Sequence, residues 1–380
     1  MIAVIADDIT GAAELGGIGL RHGLSVEVNM DVNLSTKADL LVIAADTRSM
    51  GQTEAVKEME RITRQLVALQ PEWIYKKVDS VLRGHVVAEI DIQLKVLALK
   101  SALLIPANPL LGRTIQDGHY FLNGEPVHTS SFATDPEFAI TSSDVLDMLQ
   151  VPDRSELVPV HVIKHSEALA GSGIVVGEVQ EDGDLEAWAR LAGLTGEPVL
   201  LAGASGFFTA LLRERGGQVI LNRAPTPSGY PVLLVSGTTF ANNQAFIRGL
   251  HAAGEPVSYL PAGGVEKEIS ETIINDLMDG GKAIVAIGGV APGDPVEAAR
   301  MLRGRMAQLV SKVLAEAIVQ ELIIEGGATA YAILEQAGLR AFFPEEELAP
   351  GVVRMRIKKA YPFYVTVKPG SYEWPASMRP

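Results

Sequence analysis

Short apolar runs that stop abruptly at polar or glycine-rich turns recur along this chain, and that pattern limits the fold more than any other feature. Ile2 to Ala6 is uninterrupted in hydrophobic residues and ends at Asp7-Asp8-Ile9-Thr10-Gly11. Such a run fits a parallel strand covered on both faces, since a strand with one wet face would alternate. A helix is predicted next, through about His22. It carries Gly11, Gly16, Gly17, Gly19 and Gly23, a density that weakens a helix and signals close backbone approach to a sheet or a ligand. Strand patterns return at Leu24 to Val28, at Asp39 to Ala44 before Asp46-Thr47-Arg48-Ser49, and at Trp73 to Val78, with a helix over Gln52 to Leu69. Strands alternating with helices predict an α/β fold with a mostly parallel sheet and helices on its faces.

The 380 residues suit two domains. The segment 222–231 holds three prolines and no apolar periodicity, and is the best candidate for a linker. Residues 1–221 and 232–380 are then the two domains, each a mostly parallel sheet with flanking helices, with a ligand cleft expected between them. In the second, Val232 to Val235 runs into Ser236-Gly237-Thr238-Thr239, Ala283 to Ile287 into Gly288-Gly289, and Leu322 to Ile324 into Glu325-Gly326-Gly327-Ala328-Thr329. Turns of small residues expose backbone N–H groups to phosphates, so this half reads as a nucleotide domain. None is a Walker motif, and Gly17-Ile18-Gly19 fails as a dinucleotide fingerprint because position 22 is histidine. Further expectations are a hairpin around Asp117 to Gly124 and a short helix over Ser142 to Leu149 capped by Ser142 or Ser143.

The first domain concentrates its charge at Lys76-Lys77-Val78-Asp79-Ser80-Val81-Leu82-Arg83-Gly84, on a strand-to-helix turn. Short Lys and Asp clusters on loops are most often solvated surface. Here the preceding residues are apolar and a second acidic cluster sits at an equivalent turn, which favours a site. Ligands of open α/β sheets bind at the carboxyl ends of the strands, where Asp7, Asp8, Asp46, Asp79 and Arg83 would fall along one edge. Arg83 offers a planar fork to a carboxylate, and Lys76 or Lys77 a point charge to a phosphate.

Composition excludes several classes. There is no cysteine, hence no disulfide, thiolate metal site or cysteine nucleophile, in keeping with a cytoplasmic protein. A net charge of −14 argues against nonspecific binding to nucleic acid or to an anionic membrane. His161 and His165 have the spacing of a helical metal pair but sit in a strand-like context without a carboxylate. Arg354, Arg356, Lys358 and Lys359 read as solvated strand faces.

Taken together, Ala6-Asp7-Asp8-Ile9-Thr10-Gly11-Ala12, Lys76 to Gly84, and Pro106-Ala107-Asn108-Pro109 with Gly112-Arg113 resemble the four-carbon acid-sugar kinases. The likeness continues through Asp135-Pro136, Ser236-Gly237 with Gln244, Gly326-Gly327 with Thr329-Ala330, and Lys368-Pro369-Gly370-Ser371. It implies an N-terminal acid-sugar domain, a C-terminal nucleotide domain, and transfer of the γ-phosphoryl group of ATP, with Mg2+, to erythronate, threonate or a 3-oxo derivative. Substrate contacts are expected from Asp7, Asp8, Thr10, Asp46, Lys76, Lys77, Asp79, Ser80, Arg83, Gly84 and Arg113. Nucleotide contacts are expected from Ser236, Gly237, Thr238, Gly288, Gly289, Gly326, Gly327, Ala328, Thr329 and Lys368. Family members often carry an aspartate where this chain has Ala328, and Glu325 is the carboxylate that could stand in at a metal. A catalytically silent sugar-acid sensor is the competing reading; which aldonate is taken and the oligomeric state stay open. Of the carboxylates, Asp8 is expected to be the base, its pKa raised by Asp7, while Asp79, among cations, positions them.

Overall fold

The computed structural model describes residues 1–135, 138–151, 159–164, 172–194, 198–217, 230–238, 240–261, 266–288, 294–359 and 361–375. The chain divides into two compact units, Met1–Ile220 and Leu221–Pro380. Residues 222–229 of the expected linker, Gly289 and His165 lie outside the described residues.

In the first unit the chain runs β1 (Ile2–Ala6), α1 (Ile9–Arg21), β2 (Val26–Asn29), β3 (Leu40–Ala44), α2 (Gln52–Ala68), β4 (Trp73–Lys77), α3 (Val86–Leu97) and β5 (Ser101–Ile105). A small antiparallel sheet follows, β6 (Arg113–Gln116), β7 (His119–Leu122) and β8 (Glu125–Pro126), with the expected hairpin turning at Asp117-Gly118. After α4 (Val145–Met148) come β9 (Val160–Ile163), β10 (Gly173–Gly177), α5 (Asp182–Leu194), β11 (Leu200–Gly203) and α6 (Ser205–Glu214). The main strands pair in parallel in the order β2-β3-β1-β4-β11-β5-β10-β9. Helix α4 is capped by Asp144, whose carboxylate accepts from the Leu146 and Asp147 amides, and not by Ser142 or Ser143. A carboxylate at a helix start also meets the dipole favourably, which a hydroxyl does not.

The apolar runs are covered on both faces, as their lack of alternation requires. Ala3, Ile5, Leu41 and Ile43 pack with Met59, Ile62 and Leu66 of α2 on one side. On the other side α1 lies so close that a Cβ on Gly19 would sit 2.4 Å from a Leu40 methyl carbon. That close approach is the use of this glycine, which outweighs its helix cost of roughly 1 kcal/mol.

In the second unit the order is β12 (Val232–Ser236), α7 (Ala241–Ala252), β13 (Val257–Leu260), α8 (Glu266–Gly280), β14 (Lys282–Ile287), α9 (Pro295–Glu316), β15 (Glu321–Glu325) and α10 (Gly327–Gln336). Three further strands end it, β16 (Ala341–Ala349), β17 (Val352–Ile357) and β18 (Phe363–Lys368). The order across this sheet is β13-β14-β12-β15-β18-β17-β16, parallel as far as β18 and antiparallel beyond it. Arg354, expected on a solvated face, is instead 4% exposed. Its guanidinium lies 3.3 Å from Glu321 and its charge 4.0 Å from the Tyr364 ring centre, so a buried carboxylate and an aromatic face draw it inward.

Candidate functional site

Strand order fixes where ligands can bind. In the first unit the chain builds outward from β1 to one side through β3 and β2, then returns to place β4 on the other. The carboxyl ends of β1 and β4 therefore flank the point where the order reverses, the crevice of an open parallel sheet. Asp7, Asp8 and Thr10 follow β1, and Asp79 to Gly84 follow β4. In the second unit the reversal falls between β12 and β15, whose ends carry Ser236-Gly237 and Gly326-Gly327.

At the first crevice a residue absent from the expected contacts forms the hub. The Arg48 guanidinium reaches Asp7 at 2.9 Å, Asp8 at 3.0 Å and Asp79 at 3.4 Å, joining the ends of β1, β3 and β4. Asp46, two residues earlier, turns the chain after β3 with φ of 50°, and its carboxylate accepts from the Ser49 hydroxyl at 3.1 Å. Gly84, with φ of +94°, lets the loop pass close to Arg48, 3.3 Å separating a Cβ placed there from the arginine Cγ.

Asp8 caps α1. One oxygen accepts from the Gly11 amide at 2.9 Å and the other from the Thr10 hydroxyl at 2.5 Å. Burial acts to raise its pKa, but Arg48, Lys77 and these two hydrogen bonds outweigh it and hold the carboxyl below its ordinary value. The expectation that Asp7 lifts Asp8 is thus reversed, because Arg48 lies between the two charges. Asp7 keeps its Oδ1 buried with no hydrogen-bond donor among the described residues.

Asp79 behaves as expected. Burial is overcome by Arg83 and Arg48, and its pKa falls well below the usual carboxylate value. Arg83 grips it with Nε at 3.0 Å and a terminal nitrogen at 2.8 Å, and its remaining terminal nitrogen donates to Asp135 at 2.7 Å. Arg113 donates to the Ser80 hydroxyl, and both guanidiniums lie over the Phe132 ring, at 5.1 Å for Arg83 and 5.6 Å for Arg113.

The two lysines part company, as consecutive strand residues must. Lys77 points toward α1, where a Cβ on Gly11 would come within 2.5 Å of its Nζ. Lys76 faces α3, wholly buried, in an ion pair with Glu89 at 2.5 Å. The structure does not bring Lys76 to the cluster.

At the second crevice Ser236, Glu325 and Lys368 stand side by side on β12, β15 and β18. The Ser236 hydroxyl donates to one Glu325 oxygen at 2.6 Å and the Lys368 ammonium to the other at 2.8 Å. Burial raises the Glu325 pKa against the pull of Lys368, and burial lowers that of Lys368 against the pull of Glu325. Gly237 is pressed onto Thr329, with 2.1 Å between a would-be Cβ and the threonine oxygen. Gly326, with φ of +99°, opens α10 without any side-chain cap, so the first-turn amides of Gly327, Ala328 and Thr329 are open to an anion. Thr238 holds the next turn, its carbonyl accepting from Gln244 at 2.7 Å. Gly288 ends β14, its amide bonded to the Leu260 carbonyl at 3.2 Å. The first-turn amides of α10 are thus the ones open to a phosphate, since those of Gly237 and Gly326 donate to the Glu325 and Lys368 carbonyls. Both Glu325 oxygens are already engaged and the residue is wholly buried, so this carboxylate has no free oxygen for direct contact with a magnesium ion. Among the described residues no three His, Asp or Glu side chains form a metal-binding group.

The sugar-binding N-terminal domain family matches residues 2–211. The chain belongs to this family. A D-threonate kinase of Salmonella typhimurium is 29% identical over 62% of this chain and 57% of its own length, so the chain spans little more than half of that relative. A D-threonate kinase of Cupriavidus necator is 29% identical over 92% of this chain and 88% of its own. A 3-oxo-tetronate kinase of Methylobacterium radiotolerans is 25% identical over 98% and 96%. Among solved structures, a Salmonella typhimurium LT2 protein superposes with TM-score 0.76 at 20% identity, covering 98% of this chain and 96% of that one. A Haemophilus influenzae protein does so with TM-score 0.69 at 20% identity, over 98% and 97%. These two share the fold. The likeness to four-carbon acid-sugar kinases thus holds at the level of the family, and no helix among the described residues is long and apolar enough to cross a membrane.

Proposed function

We propose that this chain is an ATP- and magnesium-dependent kinase acting on a hydroxyl of a four-carbon acid sugar. The aldonate is assigned to the carboxyl edge of the first unit's sheet, and the nucleotide phosphates to the turns after β12 and β15. The observation that carries the reading is the composition of the first crevice. The Lys77 ammonium lies beside α1, where its charge acts on Asp8 and Asp79, and the buried Asp7 Oδ1 has no hydrogen-bond donor among the described residues. A cation beside a buried acceptor that lacks a donor suits a ligand that brings both a negative charge and hydroxyl groups. The names carried by the relatives support the same substrate class.

Phosphoryl transfer requires positioning and charge neutralisation more than covalent chemistry. In this reading Lys77 neutralises developing charge, Asp79 and Arg48 hold the cations in place, and Arg83 with Arg113 orients the substrate carboxylate. Asp8, ionised at neutral pH, is the proposed base, and the donor-free oxygen of Asp7 is its nearest competitor for the substrate proton. Magnesium neutralises the nucleotide phosphates when bound.

The test is ADP formation from ATP and magnesium across D- and L-erythronate, D- and L-threonate and their 3-oxo forms. Turnover of one or more of these is expected. Calorimetric binding of an aldonate with no ADP formed would replace the kinase by a sensor.

A further inference from the structure

We infer that Asp135 is a specificity-determining residue, holding on the outer nitrogen of Arg83 the place that the carboxylate of an acid-sugar substrate takes. The inference rests on the acid-sugar reading above and names the group which that substrate displaces.

Arg83 presents two edges. The edge formed by Nε and one terminal nitrogen is locked onto both Asp79 oxygens, and Asp79 is also held by Arg48 and by the Val81 amide at 3.1 Å. That edge belongs to the scaffold. The other terminal nitrogen meets a single Asp135 oxygen at 2.7 Å, while the second Asp135 oxygen accepts from the Phe138 amide at 2.9 Å. Asp135 comes from a different part of the chain, just after the turn that places Phe132 beneath Arg83 and Arg113. Both partners of this ion pair are 13% exposed, so the pair is within reach of a ligand, unlike the wholly buried Lys76 and Glu89.

Chemically, Asp135 offers Arg83 what an aldonate offers: a carboxylate at charge-assisted hydrogen-bond distance. Exchange of one for the other conserves charge and bond type, so the outer edge of Arg83 is never left without an anion. A neutral sugar cannot make this exchange, because its hydroxyl would have to replace a carboxylate on a guanidinium. Asp135 thereby favours acids over neutral polyols of the same length, at some cost in affinity for the acid itself.

The experiment compares Asp135→Asn with the parent chain. Asparagine still accepts from the Phe138 amide and still fits Arg83, but brings no charge. The KM for the aldonate is expected to fall by about fivefold or more, the difference between a charged and a neutral hydrogen-bond competitor, with the KM for ATP little changed. Discrimination against the corresponding neutral tetritol is expected to weaken. Glycolate, the smallest hydroxy acid, is titrated by NMR into both proteins as a probe that needs no turnover, and it is expected to bind the variant more tightly. An unchanged or weakened affinity for glycolate and aldonate would make Asp135 a mere support for Arg83 and overturn the inference. Turnover of no aldonate by the parent chain, with glycolate still bound more tightly by the variant, would instead count against the kinase reading alone. Asp135→Ser repeats the titration should the asparagine variant fold poorly by circular dichroism.

Discussion

Replacing Arg48 by methionine removes one cation and leaves Asp7, Asp8 and Asp79 facing one another across a space that water barely enters. The guanidinium makes three contacts, at 2.9, 3.0 and 3.4 Å, with carboxylates whose side chains are 10% exposed or less. Removing one partner of a buried pair typically costs about 3–5 kcal/mol, because the other charge stays buried. Arg48 itself is 15% exposed, and Lys77 still faces Asp8 and Asp79, so the lower end applies and the expected loss is about 3 kcal/mol at pH 7. The pH dependence gives a second, independent check. Asp8 and Asp79 have depressed pKa values when folded, so their contribution is present above the unfolded carboxyl value and is lost as pH falls through the folded ones. Without Arg48 much of that depression goes, so the stability gap between parent and variant is widest at neutral pH and narrows below about pH 4. Urea unfolding in a Trp374→Phe background reads this, since Trp73 and Trp188 then report on the first unit alone. A loss under about 1 kcal/mol at pH 7, within the range of exposed pairs, would refute the hub, as would a gap that stays constant into acid.

Asp8→Asn keeps the helix cap but loses the charge that pairs with Arg48, so stability at neutral pH should fall while the protein still folds and kcat for the aldonate drops by about 100-fold or more; normal turnover, with Asp7→Asn inactive, would move the base to Asp7. Arg83→Lys should raise the aldonate KM by about tenfold or more with a smaller change for ATP, since an ammonium cannot span Asp79 and a second carboxylate in one plane. No change there would assign the substrate carboxylate to Arg113. Lys368→Met leaves Glu325 buried without its cation and should destabilise the second unit by about 3–5 kcal/mol, while adding Glu325→Gln should recover most of that loss in chemical unfolding. A double variant as unstable as the single one would show that the pair does not act as a pair.

The strands and their order of chemistry were legible because burial on both faces leaves no alternation, and Ile2 to Ala6 and Leu40 to Ala44 announce this directly. The turn clusters were legible too, since charge directly after an apolar run is rare by chance. What could not be read was direction. Lys76 and Lys77 look equivalent in sequence, and only the pairing of β4 with β1 decides that Lys77 meets Gly11 while Lys76 meets Glu89. Arg48 was visible at a third polar strand end, but its role depends on three carboxylates drawn from positions 31 or more residues away. The Asp8 pKa hides for the same reason, because the charges that lower it, Arg48 and Lys77, are distant in sequence while Asp7 is adjacent. Arg354 looks exposed in sequence because its partners, Glu321 and Tyr364, arrive from other strands.

The row formed by Ser236, Glu325 and Lys368 makes strand length a functional quantity. Each of the three is the last residue of its strand, and the register sets them level across β12, β15 and β18. Substitution among Leu322, Ile323 and Ile324 changes only packing. Adding or deleting one residue there would carry Glu325 to the opposite face and drag the Gly326-Gly327 turn out of line with its neighbours. This strand should therefore tolerate many changes of side chain over evolutionary time, yet almost no change of length.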